Sequence, residues 1–193
     1  MQTRVSLLAR IRNLNDGLAW SEFVRLYAPL IHSYGMKNGL QDADAADLAQ
    51  ETLRLVMRAA PEFVYDPTKG TFRGWLFTVA RNEIRKFANR QKRSLVGSGD
   101  SKVRDLLETQ PSPKTDEDEW NREYQMNLFR CAAETVQSEF RETTWQAFWR
   151  TIIQQQDIEA VAQDLGLSLG AVYIARSRIT ARIRQEISAI REV

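Results

Sequence analysis

The sequence predicts an all-α protein, two small helical domains joined by an acidic linker, the second carrying a helix-turn-helix. Three observations predict it. Among 193 residues Gly (9) and Pro (5) are scarce, while Leu, Ala, Arg, Glu and Gln are plentiful, which favours helix over sandwich or barrel. Apolar residues recur at spacings of three and four along most of the chain, the mark of amphipathic helices. Charge is uneven: residues 1–95 hold 15 Lys/Arg against 9 Asp/Glu, residues 96–125 hold 4 against 8, and residues 126–193 hold 8 against 8. That pattern sets a basic unit and a neutral unit on either side of an acidic connector.

The elements follow in order. Leu7, Leu8, Ile11 and Leu14 recur at helical spacing. Trp20, Phe23, Tyr27, Leu30, Ile31 and Tyr34 form a second stripe. A third helix opens at Asp42 and buries Leu48, Thr52, Leu55, Val56 and Ala59, with Pro61 just past its end. The segment Tyr65–Gly70, holding Pro67, reads as a loop. Phe72 to Lys92 reads as one long helix with Trp75, Leu76, Val79, Ala80 and Ile84 on one face. Two glycines, two prolines and five small hydroxyl residues interrupt periodicity between Leu95 and Thr115. The expected boundaries are therefore a first domain over 1–94, a flexible acidic linker over 95–117 and a second domain over 118–193. Trp120–Ser138 and Thr143–Gln155 continue as helices, the latter with Trp145, Phe148, Trp149, Ile152 and Ile153 on one side.

Composition narrows the chemistry. One histidine, His32, and one cysteine, Cys131, remove most His-based acid/base schemes, an internal disulfide and a Cys-rich zinc site. His32 reads as a helix residue with a local hydrogen bond, and Cys131 as a buried thiol. The acid run Asp116–Glu119 reads as a solvated helix start, not a metal cage. No metal or cofactor is expected. No uncharged stretch reaches membrane-spanning length, and Arg4, Arg10 and Arg12 interrupt any apolar leader core. The expectation is a cytoplasmic protein that binds instead of catalysing.

The strongest motif runs from Asp157 to Ile179. Asp157 can cap a helix, Ala162 is small enough for a second helix to approach, and Gly166 supplies a positive φ that ends the first helix. Ser168 can cap the next helix, and Val172, Ala175, Ile179 and Ile183 would pin it down. This is the spacing of a DNA-binding helix-turn-helix. No acid occurs between Asp164 and Glu186, whereas Arg176, Arg178, Arg182 and Arg184 do, as a phosphate-facing helix requires. The alternative is an αα-hairpin packed within its own domain.

A second candidate lies in the first domain. Arg73, Arg81, Arg85, Lys86, Arg90, Lys92 and Arg93 accompany a single acid, Glu83. Phe63, Tyr65, Phe72, Trp75, Phe77 and Phe87 are interleaved or nearby. Cations can track a phosphate backbone while aromatic faces receive unstacked bases, and Asn82 and Asn89 can read base edges. Taken singly, the aromatics read better as core, and a solvated cationic face is the other reading of the charges.

In this order, these elements resemble a bacterial sigma factor of the compact, two-domain extracytoplasmic-function (group 4) class. Asp44-Ala-Ala-Asp-Leu-Ala-Gln-Glu51 is similar to the family's Asp-Ala-x-Asp-Leu-x-Gln-Glu helix. Phe63 to Leu76, followed by Val79-Ala-Arg-Asn82, resembles its promoter-melting segment. The helix-turn-helix is the third match. The resemblance implies a promoter-specificity subunit whose partners are core RNA polymerase and promoter DNA, with an anti-sigma factor as a further possible partner.

It also implies roles by position. Asp47, Gln50, Glu51 and Arg54 would dock on the polymerase clamp helices. Asp66, Lys69, Phe72, Arg73, Trp75, Arg81, Asn82, Arg85, Lys86 and Asn89 would engage the −10 element, the loop 66–71 holding a flipped base. Ser168, Gly170, Ala171, Tyr173, Arg176, Ser177 and Arg178 would engage the −35 element. The acidic linker would thread the RNA exit path. One departure is visible: the family often places basic residues where Tyr173 and Ala175 stand here. Two other readings remain: a stand-alone helix-turn-helix regulator, which leaves the Asp44–Glu51 helix unexplained, and a nucleic-acid-processing enzyme, which lacks the His/Cys chemistry and a phosphate-binding glycine loop.

Overall fold

A computed structural model describes residues 7–63, 71–95 and 113–190. Every regular element among them is helical, as the composition and periodicity predict. The helices are α1 (Leu7–Ile11), α2 (Gly17–Lys37), α3 (Asp42–Ala59), α4 (Phe72–Leu95), α5 (Pro113–Gln137), α6 (Glu142–Phe148), α7 (Ile158–Leu165) and α8 (Leu169–Ile190). No single helix among the described residues is long and apolar enough to cross a membrane. The chain divides into two compact units, Met1–Asn127 and Leu128–Val193.

In the first unit, α2 begins where Asp16 accepts the Ala19 amide at 2.9 Å. Arg10 holds that cap in place, its guanidinium 3.1 Å and 3.2 Å from the two Asp16 oxygens. This contact keeps the Asp16 carboxyl below the ordinary carboxylate range. Helices α2 and α3 cross at Gly35: a Cβ there would lie 3.0 Å from Leu48 and 3.1 Å from Ala45. A larger residue there would press on both neighbours, which would have to give way by a few tenths of an ångström. His32 pairs with Asp42 at the start of α3, 3.0 Å away, so its partner comes from the next helix. The core is aromatic: Phe23, Tyr27, Tyr34, Phe72 and Phe77 are all buried, and Phe72 meets Phe23 and Tyr27 edge-on at 5.8 Å and 5.7 Å.

The first unit also takes in the start of α5, which the sequence assigns to the linker and the second domain. Trp120 and Tyr124 are 2% and 1% exposed. Trp120 meets Tyr34 at 5.5 Å and Phe77 at 5.6 Å, and Tyr124 stacks on Tyr27 at 5.9 Å. Asn127 donates its side-chain amide to the Leu26 carbonyl. Lys37 reaches Glu119 and Glu123, each at 2.8 Å, and holds Glu119 below the ordinary carboxylate range. That attraction operates at neutral pH and fades as acidification passes through the lowered Glu119 pKa. The acid run is thus only partly a solvated helix start. Asp116 is itself buried, and burial pushes its carboxyl up despite the opposing pull of Arg81. Tyr34 beside it is pushed up to about 12, by burial first and by the Asp116 charge second. The remainder of the expected linker, residues 96–112, lies outside the described residues.

The second unit contains the end of α5, α6, α7 and α8. Cys131 is buried there, as expected. The expected helix over 143–155 ends early. After α6 the chain widens into a π turn over Trp149–Ile153, closed by the Gln154 amide on the Trp149 carbonyl at 3.0 Å. Thr151 takes the buried position and donates its hydroxyl to the Ala147 carbonyl at 2.6 Å. Ile152 and Ile153, expected on the apolar face, are left 36% and 38% exposed. Sequence periodicity assumes a constant turn and misses such a widening.

Replacing Trp120 with Ala is expected to destabilise the first unit by about 3–5 kcal/mol, as for other buried aromatics. Urea unfolding followed by far-UV circular dichroism measures it. A loss below about 1 kcal/mol would mean that the start of α5 contributes little to this core.

Candidate nucleic-acid interface

Three helices each bury one face and present another. On α3, Leu48, Thr52 and Val56 are buried. Asp47, Gln50 and Arg54 are exposed and Glu51 is half-buried, at spacings that align them on the opposite face. Arg54 donates to Glu51 at 3.0 Å and to Gln50 at 3.3 Å, so three of the four form one hydrogen-bonded cluster. Met57, 46% exposed, continues the same face. The sequence reading passed over it; its signal is a large apolar residue at the next register of a polar face.

On α4 the predicted −10 residues separate into groups. Asn82, Arg85, Lys86 and Asn89 are exposed and follow one another at i, i+3, i+4 and i+7. Beneath them Glu83 is buried and accepts Lys86 Nζ at 2.6 Å. The only acid among these cations is therefore turned inward, and the outward stripe carries cations and amides. Arg81 is half-buried on a neighbouring face.

Phe72 requires a correction. It is 3% exposed and surrounded by Phe23, Tyr27, Phe63 and Trp75. No ring face is left for a base, and its role is core. Trp75 is half-buried and leans on Phe63 at 5.2 Å. Arg73 requires a second correction: its Nε donates to Asn121 at 3.1 Å and its guanidinium lies over the Tyr124 ring at 4.6 Å. That cation packs α5 against α4 and does not belong to the exposed stripe. Asp66 and Lys69 lie outside the described residues.

The helix-turn-helix forms as its spacing predicts. Asp157 accepts the Ala160 amide at 2.9 Å and starts α7. Gly166 ends it in the left-handed region at φ 63°. The Leu167 amide then reaches the Ala162 carbonyl at 2.9 Å, satisfying a group the helix end would leave unpaired. Ser168 accepts the Ala171 amide at 3.2 Å and starts α8, which leaves α7 at 103°. Ala147, Ala162, Val172 and Ala175 form the buried core between these helices. Three of the four are alanines, and their small size brings the helices close.

Outward from that core, Gly170, Tyr173, Ile174, Ser177 and Arg178 make one exposed stripe on α8. Ser168 is exposed at the turn, and Ala171 is half-buried beside it. Arg176, half-buried, lies 5.7 Å from the Tyr173 ring centre. Arg182 does not belong with them. It is held by Glu139 at 2.6 Å and Glu186 at 2.9 Å, so it is a structural cation, and counting charges along the sequence could not distinguish it.

Comparison with known proteins agrees on the first unit. Residues 23–94 match the family model described as sigma-70 region 2. A curated relative, the ECF RNA polymerase sigma factor RpoE of Cereibacter sphaeroides, is 32% identical over 78 residues. The match covers 40% of this chain and 42% of the relative, so the chain spans less than half the length of that curated relative. Among solved structures, Rhodobacter sphaeroides SigE in complex with the anti-sigma ChrR matches at 24% identity. That match covers 93% of this chain and 94% of the other, with a TM-score of 0.36.

Two of the α8 arginines, Arg178 and Arg182, are expected to behave differently. Arg178→Ala should weaken duplex-DNA binding and lower the salt slope by about 1. Arg182→Ala should leave the slope unchanged and cost less than about 1 kcal/mol of stability, as exposed ion pairs do. Fluorescence anisotropy on duplex DNA across a salt series separates them, and equal slopes for both variants would refute the distinction.

Proposed function

We propose that this chain is a sigma factor of the sigma-70 family, in its extracytoplasmic-function branch, that binds core RNA polymerase and directs promoter-specific initiation. The observation that carries the reading is the combination, in one chain, of a sigma-70 region 2 domain over 23–94 with a helix-turn-helix over α7 and α8. A stand-alone regulator would use the second element and leave the first without a role.

The protein contributes binding energy and holds no catalytic centre; nucleotide addition belongs to the polymerase, in the cytoplasm. The polar face of α3, with Asp47, Gln50, Glu51 and Arg54, docks on the coiled-coil clamp helices of the polymerase's largest subunit. Asn82, Arg85, Lys86 and Asn89 lie along the −10 element. There the cations offset phosphate repulsion, and the side-chain amides, which carry both donors and acceptors, suit base edges. Extruding a base from the duplex costs a few kcal/mol, which contacts to the separated strand must offset. The stripe on α8 enters the major groove at −35. Membership of the branch adds an anti-sigma protein as a partner class for this chain.

Transcription in vitro with bacterial core polymerase over a library of randomised promoters tests the reading. The expected outcome is initiation from a shared two-part sequence. Silence with core polymerase, together with retardation of duplex DNA by the protein alone, would favour an operator-binding regulator. Asn82→Ala combined with Arg85→Ala should impair promoter opening, read by permanganate footprinting, more than holoenzyme assembly; equal loss of both would contradict the α4 assignment. Gln50→Ala combined with Glu51→Ala should weaken capture of core polymerase about tenfold or more, the scale of losing charge-assisted contacts. Unchanged capture would remove α3 from the interface.

A further inference from the structure

The exposed stripe of α8 is unusual in what stands at its centre. Tyr173 is 56% exposed and Ile174 57% exposed, with Leu169 at 44% one turn earlier. Single exposed apolar residues need no explanation. Leu169 and Tyr173 are neighbours at i, i+4 and Ile174 flanks the stripe on its other side, all three in the first half of a helix whose opposite side is fixed by Val172 and Ala175. Room for close approach lies beside them. A Cβ on Gly170 would meet nothing nearer than the Ser168 hydroxyl at 4.0 Å, and Ser177 continues the stripe with a short side chain.

Charge identifies what covers this face. No acid occurs from Leu165 to Gln185. Arg178 is exposed on the stripe itself and Arg176 stands at its edge, 5.7 Å from the Tyr173 ring centre. An apolar centre in a cationic frame is complementary to a surface that is anionic at its borders and apolar within. Duplex DNA offers this combination in the major groove, where phosphates line the edges and the thymine 5-methyl is the one apolar group on any base edge.

We propose that Ile174, with Tyr173 beside it, is a specificity residue that reads thymine 5-methyl groups in the −35 duplex. The inference rests on the promoter-binding function proposed above and adds the chemical group being read. Adenine in place of thymine on the contacted strand removes the methyl. Cytosine removes it too and presents an amino donor to an isoleucine that cannot accept a hydrogen bond.

Deoxyuridine provides the test, since it keeps every hydrogen-bonding group of thymidine and lacks only the methyl. The −35 sequence is first selected with wild-type holoenzyme from the randomised library. Each thymidine of that element, on either strand, is then replaced singly by deoxyuridine, and transcription is measured at limiting holoenzyme. Wild type should lose about fourfold at one or two positions, the ratio expected for one buried methyl. Ile174→Ala should show a similar loss on the unmodified promoter and no further loss with deoxyuridine. Ile174→Val should fall between them.

An element selected without thymine would overturn the inference, as would wild-type insensitivity to deoxyuridine at every position. So would an Ile174→Ala variant as sensitive as wild type. The wild-type arm decides even if a variant folds poorly. If wild-type holoenzyme selects no shared sequence at all, the promoter reading itself fails and takes the inference with it. Selection without methyl sensitivity removes the inference alone.

Discussion

Each candidate binding surface in this protein depends on one constraint: a helix that must present a defined face has to be held by the face opposite. Helix α3 is held at Leu48, Thr52 and Val56, α4 at Leu76, Ala80 and Ile84, and α8 at Val172, Ala175, Ile179 and Ile183. With 3.6 residues per turn, fixing one side fixes the other. The exposed positions of each helix are then set to within a fraction of a turn, without any contact of their own. This arrangement suits a protein that acts by binding, because the exposed side chains are held in place by the backbone and not by burial of their own. Small residues set the distances. Gly35 lets α2 meet α3, and three alanines let α7 and α8 pack against α6.

The same constraint sorts the cations. Arg10, Lys37, Arg73, Arg150 and Arg182 are engaged by carboxylates, an amide or an aromatic ring of their own unit. Arg85 on α4 and Arg178 on α8 are exposed on the outward stripes. Polarity along a sequence counts both groups alike. Composition alone therefore groups Arg73 and Arg182 with the cations meant for nucleic acid, yet each joins two segments of the fold. Their removal would act on stability first, whereas removal of an outward cation would act on affinity and its salt dependence.

Local features were the legible ones. The cap at Asp157, the left-handed Gly166, the cap at Ser168 and the buried Val172 lie within sixteen residues, and each follows from the chemistry of one side chain. The polar face of α3 was equally readable, since a regular helix converts spacing directly into direction. Long-range packing was harder. Trp120, Tyr124 and Asn127 have helical spacing, but acids before and among them make the segment read as a connector. The partners that bury them, Tyr27, Tyr34 and Phe77, are more than forty positions away in the sequence. Phe72 and Trp75 were a related difficulty. Both are aromatic and both start α4, but only the packing around Phe72 shows that it has no face to offer a base. Within the loop 64–70, Asp66 and Lys69 lie outside the described residues, so the site was legible there only through resemblance.

The contrast between α4 and α8 bears on how, under the proposed function, two weak readers would make one selective protein. The α4 stripe carries amides and cations over a buried acid, a surface for a flexible, charged strand. The α8 stripe carries isoleucine and tyrosine between arginines, a surface for the floor of a groove. A lone methyl contact contributes only a few-fold in affinity, and cations alone do not distinguish sequences. Selectivity from such parts has to come from adding them. Two elements engaged at once multiply their individual ratios, provided that the geometry lets both contact the same DNA. Under the proposed function, core polymerase would supply that geometry by holding the first unit through α3, and a modest discrimination at −35 would become useful only in the assembled enzyme. A protein built this way would gain specificity without any single tight contact, and it would be able to release its promoter once polymerase moves on.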